Sequence, residues 1–200
     1  MSNRRGSPGE AQKSHTGLPE AVPIDRLFLG VFPDKPAQSA IEKVVRRMLR
    51  EYGLRGSPLR ASRYHVTLHH LGDYAGLTAD ICDAALASIA RIAAPALDIT
   101  LDRAASFDVP PMHPFVLRCA EAETNMHPLW RESRTHLASA GFSHWLERDF
   151  TPHLTLLYDE RLMAVPVPIE PITWTVREVV LVHSLLGRTE YRFLGTAQLR

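Results

Sequence analysis

Two stretches of this 200-residue chain each place an imidazole and a hydroxyl two residues apart: "HVTLHHLG" at 65–72 and "HLTLLYDE" at 153–160. Residues i and i+2 of a β-strand lie on one face, about 7 Å apart. His65 and Thr67 then point one way and Val66 and Leu68 the other; His153, Thr155, Leu154 and Leu156 repeat the pattern. An unperturbed imidazole titrates near ~6.5, so two that face one another can divide acid and base roles near neutral pH. The neutral one takes a proton from the nucleophile and the protonated one delivers a proton to the leaving oxygen. The threonine hydroxyls can donate to phosphoryl oxygens and stabilise developing charge. These parts suit in-line displacement at phosphorus. A single His-x-Thr is ordinary strand chemistry; the second copy, in a matching setting, makes the pair meaningful.

Competing chemistries lack components. There is no GxSxG elbow, no GxxxxGK[ST] loop and no HExxH helix. His65, His69 and His70 invite a metal reading, but on a regular strand His70 points away from His65. Neither His-x-Thr motif supplies a carboxylate or thiolate ligand. No metal or other cofactor is expected.

The elements that must hold these residues are legible from periodicity. "RLFLGVF" (26–32) reads as a buried strand. Ile41, Val44, Val45, Met48, Leu49 and Tyr52 form one face of a helix, with Pro36 in its first turn and Gly53 as its stop. A strand holds the first motif. A second helix runs from Thr78 to about Ala94, and strands follow at 96–108 and 114–120. A third helix spans about Met126 to Ala140, with Leu129, Trp130, Ser133 and Leu137 inward and Gly141 as its stop. The strand of the second motif comes next. The run "ITWTVREVVLVHSLLG" and the closing "TEYRFLGTAQLR" read as a hairpin around Gly187. Strands in runs rather than strict alternation favour an α+β fold with mainly antiparallel sheets. Each motif strand follows a helix, which suggests two similar lobes facing each other.

Hydrophobic residues make up 45% of the chain and charged residues 22%, ordinary for a globular protein. No run reaches the ~18 apolar residues a membrane span requires, so no membrane partner is expected. Residues 1–22 are polar, carry no apolar signal region and read as a flexible tail ahead of one domain at 23–200. Cys82 and Cys119 are the only cysteines, which favours a reducing cytoplasm. The net charge of +1 means that any attraction for phosphate must be local.

With both motifs in place, the chain resembles the two-histidine (2H) phosphoesterase superfamily. Within it the likeness is to the LigT-like branch, the RNA 2′,3′-cyclic phosphodiesterases also called 2′-5′ RNA ligases. It is carried by "YHVTLHHLG", "RDFTPHLTLLYD" and "VVLVHSLLGRTEYRFLG", and extends from "RLFLGVFPD" to "GTAQLR". The resemblance implies a bilobal α+β fold, with two pseudo-symmetric antiparallel sheets lining a central cleft and helices packed outside. It implies opening of a 2′,3′-cyclic phosphate to a 2′-phosphate on RNA ends by a monomer, with reversible 2′-5′ ligation as a companion activity. His65 then corresponds to the acid for the 3′ oxygen, His153 to the base for water, and Thr67 and Thr155 to phosphate ligands. Further substrate-binding candidates are Arg148, where the branch often has an arginine, His69, on the face of His65, and Tyr158, which can stack on a base. Phe150 suits core packing better. Small cyclic phosphates, such as a cyclic nucleotide or ADP-ribose cyclic phosphate, are an alternative substrate class. A non-catalytic RNA-binding module is the alternative of another kind, against which the paired histidines speak.

Overall fold

The first helix begins at Lys35, with Pro36 in its first turn as the sequence suggests. Asp34 caps it, its carboxylate accepting the Ala37 N–H at 2.9 Å. Gly53 ends it with φ 63°, a left-handed conformation that favours glycine. In this computed structural model, which describes residues 25–200 apart from 122 and 189, the elements run in a defined order. They are β1 (Asp25–Val31), α1 (Lys35–Tyr52), β2 (Val66–Tyr74), α2 (Ala79–Ile89), β3 (Leu97–Ser106), β4 (His113–Arg118), α3 (Met126–Leu137), β5 (His153–Asp159), β6 (Val167–Val176), β7 (Glu178–Leu185) and β8 (Glu190–Gln198). The tail expected at 1–22 lies outside the described residues.

All eight strands join in one antiparallel sheet, in the order β6-β3-β4-β5-β2-β1-β7-β8. The two central strands carry the two motifs, and they meet through one register pair, Val66 with Leu154. Every other neighbouring pair of strands is held by a longer ladder. Where two separate sheets were expected, the structure has one, made of two four-stranded halves joined by the single register pair Val66–Leu154. The fold is α+β, as anticipated. α1 packs against β6, α2 against β7 and β8, and α3 against β2.

The apolar stripes read from the sequence are the core. Ile41, Val44, Val45 and Met48 of α1 are buried, as are Leu129, Trp130, Ser133 and Leu137 of α3. The main core also takes in Leu27, Leu29, Val66, Leu101, Leu117, Leu154 and Leu181, in one cluster spanning both halves. A smaller cluster of Phe28, Val180 and Val182, with Phe32 and Tyr191 against it, lies on the other side of the sheet.

One expected strand is two. The run from Ile172 breaks at Arg177 into β6, which pairs with β3, and β7, which pairs with β1. The chain crosses from one half of the sheet to the other at that residue. No glycine or proline marks the step; the Arg177 carbonyl accepts the Leu199 N–H at 2.8 Å. Helix α2 also stops earlier than expected, at Ile89.

Candidate active site

The Val66–Leu154 pair fixes the geometry of both motifs. These residues immediately follow His65 and His153, and both are fully buried. Continuing that antiparallel register sets His65 opposite Thr155 and Thr67 opposite His153, on the face away from Val66 and Leu154. All four line one cleft of about 410 Å³ between the halves of the sheet. Strand alternation alone pairs each histidine with the threonine of its own motif; the fold also gives each histidine the threonine of the other.

Both imidazoles are anchored in the same way. His65 Nδ1 lies 2.7 Å from the Arg63 carbonyl, and His153 Nδ1 lies 2.8 Å from the Thr151 carbonyl. A carbonyl only accepts, so Nδ1 carries the proton and donates. In the neutral ring Nε2 is then the bare, basic nitrogen. Aromatic rings fix the orientation further: Phe28 lies 4.8 Å and Tyr191 5.6 Å from His65, and Phe107 stands edge-on to His153 at 4.8 Å. Burial pushes the His65 pKa down to about 4, with the nearby His153 and Arg63 charges acting in the same sense against the Arg63 carbonyl. Burial also lowers His153, opposed by the Thr151 carbonyl.

The end of the second motif holds the approach to the first. Asp159 is buried and accepts N–H groups from Gly56 at 2.7 Å, Arg161 at 2.8 Å and Arg55. Burial raises its pKa, but these three donors outweigh that and hold the carboxyl below its usual range. A side chain at Gly56 would meet the Tyr158 carbonyl at 2.0 Å, so the loop can lie this close only with glycine there. That loop leads to Leu59 and Arg63, which line the cleft.

Tyr158 lines the cleft as expected, with 48% of its surface exposed. Two other candidates lie elsewhere. Arg148 is exposed and borders a separate depression with Trp130, Arg131 and Arg134. His69 does not share the face of His65; it is 2% exposed, stacks on Trp130 at 5.7 Å and points at α3. The cause is a bulge: β1 pairs Gly30 with Thr67 but Leu29 with His69, leaving Leu68 as the extra residue. Leu68 and His69 are therefore both buried, the alternation slips by one, and His70 faces the cleft instead. The second motif has the same device, since β4 pairs Val116 with Thr155 and Phe115 with Leu157 and skips Leu156. His69 is thus the counterpart of Leu157, and His70 the counterpart of Tyr158.

His69 has a stability role that can be tested. Its Nε2 lies 3.1 Å from the Trp130 carbonyl and 3.0 Å from Ser133 Oγ, while Nδ1 is buried with no partner among the described residues. Burial pushes its pKa to about 4, against the Trp130 carbonyl and with the Arg134 charge. The folded value lies below the unfolded ~6.5, so this stabilisation is complete above ~6.5 and is lost as pH falls toward 4, by on the order of 3 kcal/mol. His69→Gln keeps a donor and cannot titrate there. Denaturant unfolding at pH 7, 5.5 and 4.5 will show a shallower loss of stability in the variant; equal slopes would reject this assignment.

The cleft also gathers residues the motif reading missed: Arg26, Phe28, Arg63 and His70, besides Ser184 and Tyr191 of the closing hairpin. Arg26 is bound to Asp73 through two contacts of 2.7 Å, and His70 Nε2 lies 3.1 Å from the same carboxylate. Aligning the two motifs would have revealed His70, because it falls on Tyr158. Arg63 has no comparable signal, for its place comes from the loop that Asp159 holds.

The family model of the 2'-5' RNA ligase superfamily matches residues 32–188, which include both motifs and β7, the first strand of the closing hairpin. The chain belongs to the 2'-5' RNA ligase superfamily. E. coli LigT, in a crystal structure with NADP+, is 25% identical, with 89% of this chain and 98% of LigT covered and a TM-score of 0.70. TT0787 of Thermus thermophilus is 23% identical over 88% of this chain and 98% of its own, with a TM-score of 0.69. The MHV ns2 PDE domain is 19% identical over 76% and 97%, with a TM-score of 0.50. The likenesses to TT0787 and to the ns2 domain are of fold. No curated protein matches the chain. As a member of this superfamily of phosphoesterases, the chain is read as an enzyme, and the strands that carry its two His-x-Thr stretches lie at the centre of the sheet. Among the described residues no helix is long and apolar enough to cross a membrane.

Proposed function

We propose that this superfamily member is an RNA 2′,3′-cyclic phosphodiesterase that opens a terminal cyclic phosphate to a 2′-phosphate without a metal. The observation that carries the reading is the register at Val66–Leu154, which puts both imidazoles and both hydroxyls into one cleft. His153 Nε2 takes a proton from water as it attacks phosphorus; His65 Nε2–H gives its proton to the departing 3′ oxygen. Thr67 and Thr155 donate to the non-bridging oxygens. Hydrolysis breaks the P–O3′ bond, forms one P–O bond from water and leaves the 2′-phosphate; a 5′-hydroxyl attacking in place of water, with the same P–O3′ bond broken, forms a 2′-5′ linkage, and the reverse of that step cleaves it. That E. coli LigT forms complexes with ATP and NADP+ supports a nucleotide-sized ligand here. Among the described residues no three His, Cys, Asp or Glu side chains converge as a metal site would need.

The depressed histidines set the pH dependence. Activity falls when both rings are protonated and again when both are neutral. Since kcat/KM reports the free enzyme, its bell will centre below ~6.5, because burial lowers both imidazoles. Bound phosphate favours the imidazolium, so the kcat profile will lie at higher pH. The test uses an oligoribonucleotide ending in 2′,3′-cyclic phosphate across a pH series, with and without EDTA, and identifies the product end. A 2′-phosphate formed equally in EDTA upholds the reading. Activity lost in EDTA and restored by a divalent ion, or a 3′-phosphate product, would reject it.

A further inference from the structure

Beyond Tyr191 the cleft adjoins a second depression of about 310 Å³, lined by Ser62, Arg63, Tyr191 and Phe193. Arg63 and Tyr191 belong to both spaces. A pocket of a few hundred Å³ holds one small ligand. The cleft between the histidines therefore accommodates one nucleotide, and a second must lie outside it.

The adjoining space has the chemistry for that second nucleotide. Phe193 on β8 is 57% exposed, yet its ring is held by Phe32, 5.0 Å away, and Phe32 lies 5.8 Å from His65. An aromatic ring fixed on a strand and open to solvent is a stacking platform for a base of any identity. Arg63 stands at the junction of the two spaces. Its guanidinium lies 4.5 Å from the centre of the Tyr191 ring and donates to Tyr191 Oη at 3.2 Å. Its Nε is buried and has no partner among the described residues. A cation held at the junction of two nucleotide-sized spaces complements the phosphodiester that would link their occupants.

We propose that this shelf binds the second nucleotide of an RNA end, its base stacked on Phe193 and its 3′ phosphodiester passing Arg63. The proposal rests on the cyclic phosphodiesterase reading of the cleft and deepens it by naming the substrate class. Ends of at least two nucleotides are preferred over mononucleotide cyclic phosphates.

The test compares kcat/KM for a nucleoside 2′,3′-cyclic phosphate and for a dinucleotide ending in the same group. The expected preference for the dinucleotide is about tenfold or more, the scale of one base stacked on an aromatic ring. Phe193→Leu, still able to pack on Phe32, will bring the ratio toward one, and Phe193→Trp will retain it. Equal efficiencies in the wild type, or a preference that Phe193→Leu leaves intact, would overturn the proposal. If neither substrate turns over, the reading of the reaction has failed, and the shelf is judged on affinity alone. Tighter binding of a 2′-phosphate-ended dinucleotide than of the mononucleotide, abolished in Phe193→Leu, upholds it; equal affinities overturn it.

Discussion

His65→Ala and His153→Ala will each lower turnover of a cyclic-phosphate RNA end by about 10²–10⁴-fold, the usual cost of removing one general acid or base. The fold will survive. Neither imidazole belongs to the main core, and the Val66–Leu154 pair that joins the halves of the sheet is untouched. The two sites differ in one respect. His65 packs against Phe28, Phe32 and Tyr191, so its truncation also leaves a gap beneath the cleft. His65→Asn and His153→Asn separate chemistry from packing, because the Asn amide can still donate to the Arg63 or Thr151 carbonyl that anchors Nδ1. Neither variant has a group in the place of Nε2. Both should be as inactive as the alanine variants while melting closer to the wild type. A folded variant of either histidine with near-full turnover would remove the two-histidine mechanism.

How much of this site the sequence revealed follows from where strand regularity holds. Through the first three residues of each motif the side-chain period is 2, and the apolar Val66 and Leu154 and the polar His and Thr residues fall on the faces that alternation assigns. At Leu68 and Leu156 a bulge inserts one residue, and alternation then gives the wrong face. Alternation misplaces His69 for that reason. The information was present in another form: laid over one another, the two motifs match His69 with Leu157, an apolar residue with nothing to offer a phosphate, and His70 with Tyr158. Arg177 is a different case. A β-branched and apolar run continues across it, so local preference cannot show that Val176 pairs with one half of the sheet and Val179 with the other. Arg148 shows the limit of resemblance, because an arginine five residues before His153 lies in an exposed segment whose path toward or away from the cleft is a matter of tertiary packing.

Thr67→Val and Thr155→Val will each cost up to ~10²–10³-fold in kcat, the effect of deleting one pre-organised donor to transition-state charge. Valine keeps the β-branched shape that suits a strand, so the substitution removes a hydroxyl and little else. Each threonine shares its face with the histidine two residues earlier and lies across from the other motif's histidine. A phosphoryl group placed between the imidazoles is therefore bracketed by a hydroxyl on either side. In-line displacement moves charge onto the non-bridging oxygens as the P–O3′ bond breaks, and a donor fixed on a central strand needs no reorganisation to meet it. The loss should consequently fall on kcat more than on KM, since the interaction strengthens from ground state to transition state. Serine at either position restores the hydroxyl and should recover most of the rate. The approximate two-fold relation of the motifs predicts losses of similar size in the two variants. If both valine variants turn over at the wild-type rate and bind inorganic phosphate equally well, the threonines are strand residues only, and the charge on phosphorus must be met by other groups of the cleft, with Arg63 and Arg26 the cations that line it.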